Sequence, residues 1–258
     1  MLKELIASGE WPEGERFIRA DYQTAGRGQA GNGWESEKGK NLLCSILVES
    51  QKTKDKRPFY LNIAVSVAVH KVIQSFVLEH GGLPVAVRIE QGLLSLSEAV
   101  SIKWPNDIYW QDKKVAGILI ENAIVGSELK YSLAGIGLNV NQTEWHSDAP
   151  NPISLKLIDG VERKIEDLMD RLMEEFDAEM KMTADELWAY YKAHLYRREG
   201  MWPFVEREVT TAPTMNANSS ENAFMACIED VLPTGEIVLK DETGNERKYH
   251  FKQVRYVI

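Results

Sequence analysis

A glycine-rich stretch with one arginine lies near the start of the chain, Gln23-Thr-Ala-Gly-Arg-Gly-Gln-Ala-Gly-Asn-Gly-Trp34. Glycines let a backbone approach a phosphate closely and present its N–H groups to that phosphate. Arg27 adds a forked cation that matches phosphate or carboxylate geometry, and Trp34 adds a flat apolar surface for a ring. The Gly-Lys-Ser/Thr of a Walker loop is missing. By itself, the stretch fits either an anion-binding loop or a surface loop with one solvated arginine.

A lysine before a rigid turn forms the second group, Ser101-Ile-Lys-Trp-Pro-Asn-Asp107. Lys103 falls at the end of a predicted strand, where its ammonium would stand at the rim of a pocket. A compact positive charge suits a developing charge on a phosphoryl or acyl-phosphate group. The same residues also fit an ordinary Pro-Asn-Asp β-turn with a surface lysine.

Two glycine-containing strands complete the set, Lys114-Val-Ala-Gly-Ile-Leu-Ile-Glu121 and Gly135-Ile-Gly-Leu-Asn-Val-Asn141. Gly117 inside a strand indicates that a ligand lies against the backbone. Asn139 carries an amide that could read the edge of an adenine. Each stretch taken alone is better explained as a buried strand with bulges.

Taken in this order, the four stretches resemble the catalytic domain of bacterial biotin–protein ligases, and Lys-Trp-Pro-Asn-Asp is the most specific of them. The resemblance covers nearly the whole chain. It implies an α+β fold: a mixed β-sheet with flanking helices, as in class II aminoacyl-tRNA synthetase cores, plus a small C-terminal SH3-like β-barrel. It also implies an enzyme that uses ATP and Mg²⁺ to convert biotin to biotinyl-5′-AMP. The biotinyl group then passes to a lysine of a biotin carboxyl carrier protein, a subunit of acetyl-CoA carboxylase or a related carboxylase.

The resemblance also assigns residues. Lys103 and Arg27 would be catalytic, with Lys103 touching both biotin and the α-phosphate. The expected biotin-binding residues are Gln23, Gly26, Arg27, Gly28, Gln29, Lys103 and Gly117. The expected nucleotide-binding residues are Arg27, Trp34, Asn139 and Asp107. For Asp107 three roles stay open: orienting Lys103, helping to hold Mg²⁺, or shaping the turn.

This sequence departs from the family pattern in two places. Gln29, Ala30 and Asn32 stand where some members have basic residues, so Arg27 is the only cation in that run. The family also has a strand and a Ser/Thr-Thr-Asn-type segment ahead of its first helix, whose side chains bind biotin. Here Met1 falls within that helix, through either a late start or a genuine loss, and we expect weak biotin binding by the chain as given.

Hydrophobic periodicity places these motifs on alternating helices and strands. The predicted helices cover residues 1–9, 59–77, 161–178 and 185–194, and the predicted strands cover 16–21, 42–48, 85–89, 101–103, 108–110, 114–121 and 129–141. Thr183 and Glu186 have capping-box spacing. Short β-type runs separated by turn signals follow Gly200, so we predict a catalytic domain over 1–200 and a barrel over 201–258.

Composition limits the partners. The formal net charge is −9, which argues against a DNA-binding face, and no helix-turn-helix precedes the motifs, so a repressor function is not expected. No apolar run approaches the length that a membrane span needs, and the N-terminus is not a signal peptide. Cys44 and Cys227 are predicted to be buried strand thiols, and low cysteine use fits the cytoplasm. Homodimerisation stays open.

Three other functions are compatible with parts of this pattern. A lipoate–protein ligase shares the fold and the chemistry but not Lys-Trp-Pro-Asn-Asp. A non-catalytic module that binds a carrier protein or an adenylate would have lost biotin activation along with its N-terminal segment. A structural protein with a flexible loop would bind neither ATP nor biotin.

Overall fold

Fifteen strands and four helices make up the part of the chain that the computed structural model describes, which is residues 16–28, 33–50, 59–80, 86–89, 92–95, 99–126, 128–207 and 223–258 with positions 6, 8, 53, 55 and 57. The strands are β1 (Phe17–Ala20), β2 (Gly26–Arg27), β3 (Gly33–Trp34), β4 (Asn41–Glu49), β5 (Ala86–Ile89), β6 (Gly92–Ser95), β7 (Val100–Lys103), β8 (Asp107–Trp110), β9 (Lys113–Val125), β10 (Glu128–Asn139), β11 (Trp202–Glu206), β12 (Ala223–Val231), β13 (Ile237–Asp241), β14 (Glu246–Tyr249) and β15 (Val254–Tyr256). The helices are α1 (Tyr60–His80), α2 (Leu155–Asp159), α3 (Ile165–Glu179) and α4 (Ala184–Ala193). The helix predicted over 1–9 lies outside the described residues, apart from positions 6 and 8.

The main sheet has six strands in the order β1-β4-β10-β9-β8-β7. All its neighbouring strands pair antiparallel, and the parallel pairing around it consists of isolated bridges from Ile102 to Leu195 and from Lys114 to Pro152. Short connections such as the turn between β8 and β9 favour antiparallel neighbours. The α+β class with helices beside a sheet is confirmed.

The two faces of this sheet have different partners, because successive side chains on a strand point to opposite faces. On one face β4, β9 and β10 contribute fully apolar side chains, among them Ile46, Ala116 and Ala134, which are buried. Helices α1 and α3 pack on this side, α1 against β7, β8 and β9 and α3 against β4. The other face carries glycines on β9 and β10, and the cavity described below opens on it.

Helix α1 is the centre of the core, with residues such as Ile63, Val67 and Ile73 fully buried. Its segment Tyr60–Leu78 is long and apolar enough to span a membrane by length and composition, with a mean hydropathy of 1.6. The expectation that no apolar run approaches this length was therefore wrong. Of this segment, 72% is buried inside the protein, which is how a central core helix behaves.

Hydrogen bonds of nearby polar groups accompany the first residues of the helices α4 and α3. Helix α4 starts at the predicted capping box, in which Thr183 Oγ1 accepts from the Glu186 N–H and the Glu186 carboxylate accepts from the Thr183 N–H. Helix α3 starts at Ile165 rather than at 161. Asn141 pairs with both backbone groups of Arg163: its Oδ1 accepts from the Arg163 N–H at 2.9 Å and its Nδ2 donates to the Arg163 carbonyl at 2.7 Å. This pairing holds the residues before α3 in an extended link.

The C-terminal strands form a second antiparallel sheet in the order β14-β13-β12-β11-β15. We call residues 202–206 and 223–258 the β unit. Two indoles of the larger part donate to its carbonyls: Trp188 Nε1 to Val231 O at 2.9 Å and Trp104 Nε1 to Gly235 O at 3.0 Å. The domain division at residue 200 stays a prediction. Of the two thiols, Cys44 is buried as predicted, whereas Cys227 on β12 is only partly buried because that strand forms part of a small, half-covered sheet.

His70 on α1 gives stability a dependence on pH. Its ring is fully buried, with Nε2 3.0 Å from Val100 O and Nδ1 3.1 Å from Tyr190 Oη. Burial lowers the pKa of His70 to about 3. As the pH falls below about 6.5 the unfolded chain binds a proton at this position and the folded chain does not, so folding loses stability.

We expect the unfolding free energy of the wild type to fall between pH 6.5 and 4.5 by about 2 kcal/mol more than that of His70→Gln. Urea unfolding at five pH values measures this slope. His250→Gln is the control, because His250 is exposed and its loss should leave the wild-type slope intact. Equal slopes for the wild type and His70→Gln would contradict a neutral buried His70.

Candidate functional site

A cavity of about 710 Å³ opens on the glycine face of the main sheet. Its base is formed by alternate residues of four strands, and its rim by the glycine-rich stretch, the Lys103–Asp107 turn and the β unit. The lining residues on which the chemistry depends are Gln23, Arg27, Gly28, Trp34, Lys103, Asp107, Lys114, Gly117, Gly137 and Phe251. The volume lies within the range of about 300–1,000 Å³ that is usual for small-molecule sites.

The floor of the cavity is the indole ring of Trp34, which packs directly on the backbone of two glycines. Gly137 and Gly117 are directly paired across β10 and β9. A Cβ at Gly137 would lie 2.5 Å from the Trp34 ring, and one at Gly117 would lie 2.9 Å from it. The indole therefore rests where two side chains are missing, and any larger residue at either position would displace it.

Trp34 reaches this place from a short hairpin in which Gly26 pairs with Trp34 and Arg27 with Gly33. Gly26 is required there, because a Cβ would lie 2.3 Å from the Trp34 carbonyl oxygen. Immediately after the hairpin, the Glu35 carboxylate accepts from the backbone N–H groups of His146 and Ser147, at 2.9 and 2.8 Å. Trp34 is thus held by backbone pairing on one side and by this tie on the other.

Lys103 lies deeper than a surface lysine would. Its Nζ donates to Tyr109 Oη at 3.2 Å and sits over the rings of Tyr109 and Tyr256, 4.9 and 5.4 Å from their centroids. Burial lowers the pKa of Lys103, and the Asp107 carboxylate partly opposes that change. The interpretation as a turn with a surface lysine does not fit this burial.

Lys114 is the cation that the sequence-based assignment missed. It was noted as the first residue of its strand and given no role, yet its Nζ would lie 3.2 Å from a Cβ at Gly117 and lies 5.7 Å from the centre of the Trp34 ring. The ammonium forms an ion pair with Asp107 at 2.8 Å, and both side chains are about one-third exposed to the cavity. Lys114 lies three residues before Gly117, so strict alternation along the strand would put it on the opposite face. A β-bulge in the pairing of β8 with β9, between the partners Tyr109–Lys114 and Ile108–Ala116, lies between the two residues, and the sequence carries no clear signal of it.

Asp107 faces Lys114 rather than a metal site. Among the described residues, no group of three or more His, Cys, Asp or Glu side chains is placed to hold an ion. A protein-held Mg²⁺ normally needs one or two free carboxylates. The Asp107 carboxylate is instead paired with Lys114, an ion pair that is none of the three roles considered for it, and its Mg²⁺ role stays a prediction.

The rest of the Lys-Trp-Pro-Asn-Asp turn is fixed by hydrogen bonds. Trp104 is tied to the β unit, Tyr191 Oη donates to Pro105 O at 2.8 Å, and Asn106 Nδ2 donates to Asn62 Oδ1 at 2.7 Å. These bonds anchor the turn to α1, α4 and the β unit at once. They hold Lys103 and Asp107 at the cavity rim.

The remaining predicted site residues are placed less directly. Asn139 is not among the residues that line the cavity: it is buried, and its Nδ2 donates to Ile153 O at 3.1 Å. Its Oδ1 has no hydrogen-bond partner within the described part of the chain. Gly26 shapes the hairpin behind the cavity, and Gln29 lies outside the described residues. The nucleotide-binding role of Asn139 stays a prediction.

We expect Gly137→Ala to move the Trp34 indole off the floor, because the new methyl would overlap the ring. Fluorine NMR of protein labelled with 5-fluorotryptophan reports this as a shift of the Trp34 resonance, which Trp34→Phe identifies. The control is Gly135→Ala, whose Cβ would meet nothing closer than 3.6 Å. A Trp34 resonance that moves equally in both variants, or in neither, would contradict the packing of Trp34 on Gly137.

Comparison with known proteins agrees with the sequence pattern. The biotin/lipoate A/B protein ligase family matches residues 1–139. The bifunctional ligase/repressor BirA of Bacillus spizizenii is 33% identical over 137 residues, which is 53% of this chain and 36% of that protein. The biotin–acetyl-CoA-carboxylase ligase of Mycobacterium tuberculosis is 30% identical over 172 residues, 67% of this chain and 56% of that protein.

The chain thus spans between about a third and about half of the length of these curated relatives. In fold it is similar to the biotin protein ligase from Aquifex aeolicus in complex with biotin and ATP, with a TM-score of 0.71, 19% identity and coverage of 99% of this chain and 94% of that one. The likeness includes the small C-terminal β unit, because the match extends over nearly the whole chain. With more than half of its residues matched, the chain belongs to the biotin/lipoate A/B protein ligase family.

Proposed function

We propose that this protein activates biotin with ATP and transfers the biotinyl group to a lysine of a biotin carboxyl carrier protein. The observation that carries the proposal is the cavity itself, in which a ring-on-glycine floor meets three cations, Arg27, Lys103 and Lys114. An apolar, flat floor suits a fused ring system, and convergent cations suit anionic groups. Biotin and ATP together fit this combination, because they bring ring systems for the floor and a carboxylate and a polyphosphate for the cations.

In the first reaction, a carboxylate oxygen of biotin attacks the α-phosphorus of ATP. A new P–O bond forms, the bond to the β-phosphate oxygen breaks, and pyrophosphate leaves. Both reactants are anions, so positive groups that strengthen their contacts as the charge concentrates lower the barrier. Lys114 lies nearest the floor and is the ammonium placed to approach the reacting groups, with Lys103 and Arg27 at the rim.

The Asp107 carboxylate orients the Lys114 ammonium before substrate binds. Without substrate it holds Lys114 at 2.8 Å, which keeps the ammonium oriented into the cavity. A phosphate or carboxylate that enters would share the ammonium with Asp107. Lys114 can therefore exchange partners without leaving the cavity.

In the second reaction, the amine of the carrier lysine attacks the carbonyl carbon of the mixed anhydride. An amide bond forms, AMP leaves with the electron pair of the broken C–O bond, and the attacking nitrogen releases a proton to solvent. No enzyme nucleophile is required. Cys44 borders the cavity through its strand, but its thiol belongs to the buried core, and burial raises the pKa of Cys44 to about 12 and keeps it protonated.

The direct test is pyrophosphate release from ATP, measured with biotin present and absent, followed by transfer of labelled biotin to a purified carrier domain. We expect release that depends on biotin and a labelled carrier lysine. Lipoate in place of biotin is the matched control, and we expect it to support much slower release. Release that depends on lipoate, or carrier binding with no release from either acid, would reject the proposal.

The cavity lysines provide a second test. We expect Lys103→Ala and Lys114→Met each to lower kcat for pyrophosphate release at least tenfold, which is about 1.4 kcal/mol of transition-state stabilisation. Lys113→Met is the control: it removes a neighbouring exposed lysine on β9 that does not line the cavity, and it should act like the wild type. A Lys114→Met enzyme at the wild-type rate would remove Lys114 from the reaction, and the same result for Lys103→Ala would remove Lys103.

A further inference from the structure

The ammonium of Lys103 is enclosed by two tyrosine rings that come from different parts of the fold. Tyr109 stands on β8, next to the lysine's own strand, and Tyr256 stands on β15 at the end of the β unit. The Lys103 Nζ lies 4.9 Å from the Tyr109 ring centre and 5.4 Å from that of Tyr256. Both distances are within the range, up to about 6 Å, in which a cation is attracted by an aromatic face.

The Tyr256 ring is itself fixed. It is 7% exposed, it packs 4.9 Å from the Phe204 ring and 5.6 Å from the Tyr196 ring, and β15 pairs with β11 at Phe204. Tyr196 in turn packs 5.3 Å from Tyr109. The four rings form one cluster of tilted aromatic contacts that joins the β unit to the main sheet beside Lys103.

Given the function proposed above, we infer that Tyr256 is a positioning residue for Lys103, so that the β unit supplies part of the adenylation site. The ring holds the ammonium at the cavity rim, where the negative charge of the transferring phosphoryl group develops. The β unit is then part of the reaction geometry rather than an appendage to it.

The charges around Lys103 explain why such a contact is needed. Asp107 attracts the ammonium, Lys114 and Arg197 repel it, and burial disfavours its charge. The Asp107 carboxylate is already paired with Lys114. Two aromatic faces and the Tyr109 hydroxyl therefore compensate a buried cation whose nearest carboxylate is shared. They also hold the flexible Lys103 side chain in one orientation.

The test separates the ring from the hydroxyl. We expect Tyr256→Leu to lower kcat for biotin-dependent pyrophosphate release about tenfold, since a desolvated cation–ring contact has about that effect. The KM values for biotin and ATP should change less. Tyr256→Phe keeps the aromatic face and should restore kcat to within about twofold of the wild type.

Tyr249→Leu is the matched control. Tyr249 is also 7% exposed, lies in the same β unit and pairs its hydroxyl with Glu206, away from the cavity. Both leucine variants should lower the melting temperature, and only Tyr256→Leu should lower kcat at a temperature where both are folded. Equal losses of kcat would reduce Tyr256 to a packing role and overturn the inference. If Tyr256→Leu does not fold, Tyr256→Met and Tyr249→Met replace the pair.

A second readout does not depend on the enzyme's activity. In protein labelled with ¹³C-lysine, the Lys103 Cε resonance, identified by its loss in Lys103→Met, reports the titration of the ammonium. We expect its midpoint to fall by about one pH unit in Tyr256→Leu and to stay in place in Tyr256→Phe and Tyr249→Leu. An unchanged midpoint in Tyr256→Leu would overturn the inference even if the proposed function holds. A wild type without biotin-dependent release would instead reject the function and leave this titration to decide the contact.

Discussion

Gly117 and Gly137 face each other across β9 and β10, and the Trp34 indole lies over the space that their missing side chains leave. The site is built outward from this contact. The hairpin of β2 and β3 has to deliver Trp34 to that point, which requires Gly26 at its pair position. Lys114 precedes Gly117 on β9 across a β-bulge, and its ammonium reaches the same floor. On the opposite face α1 packs against β9, so the strand that carries Gly117 is backed by the core.

The distribution of charge around this floor differs from that of the whole chain. The protein carries a net charge of −9, whereas the described residues that line the cavity include three cations and two carboxylates, those of Asp107 and Glu121. A local group of cations on an acidic protein draws small anions to one place. Lys103 and Lys114 have different partners. Lys103 is enclosed by two tyrosine rings, and Lys114 is paired with Asp107.

The sequence was sufficient for the elements and for most of the site, and insufficient where contacts are long-range. Periodicity located α1, the strands of the main sheet and the capping box of α4, because these depend on neighbours within a few residues. The described part of the glycine stretch, Lys103, Asp107 and Gly117 line one cavity, and the ligand-binding roles assigned to them stay predictions. Lys114 was missed because its importance comes from the pairing of β9 with β10 and from Trp34, which is 80 residues away. Asn139 was placed at the ligand on the strength of its amide, whereas in the fold that amide is bonded to Ile153 O. The start of α3 was placed too early because the bond between Asn141 and Arg163 cannot be read from periodicity.

The two indole bonds that fasten the β unit to the larger part both end on backbone carbonyls, those of Val231 and Gly235. A carbonyl is present whatever side chain its residue carries, so this attachment depends on the path of one turn and scarcely on its composition. Gly235 is the exception, because its φ of +95° and the Phe59 ring beside it leave no room for a side chain. Drift in the amino acids of the β unit is therefore compatible with unchanged docking, as long as that turn keeps its shape. Such a small unit can diverge almost freely at its surface while the last strand continues to present the same ring to Lys103.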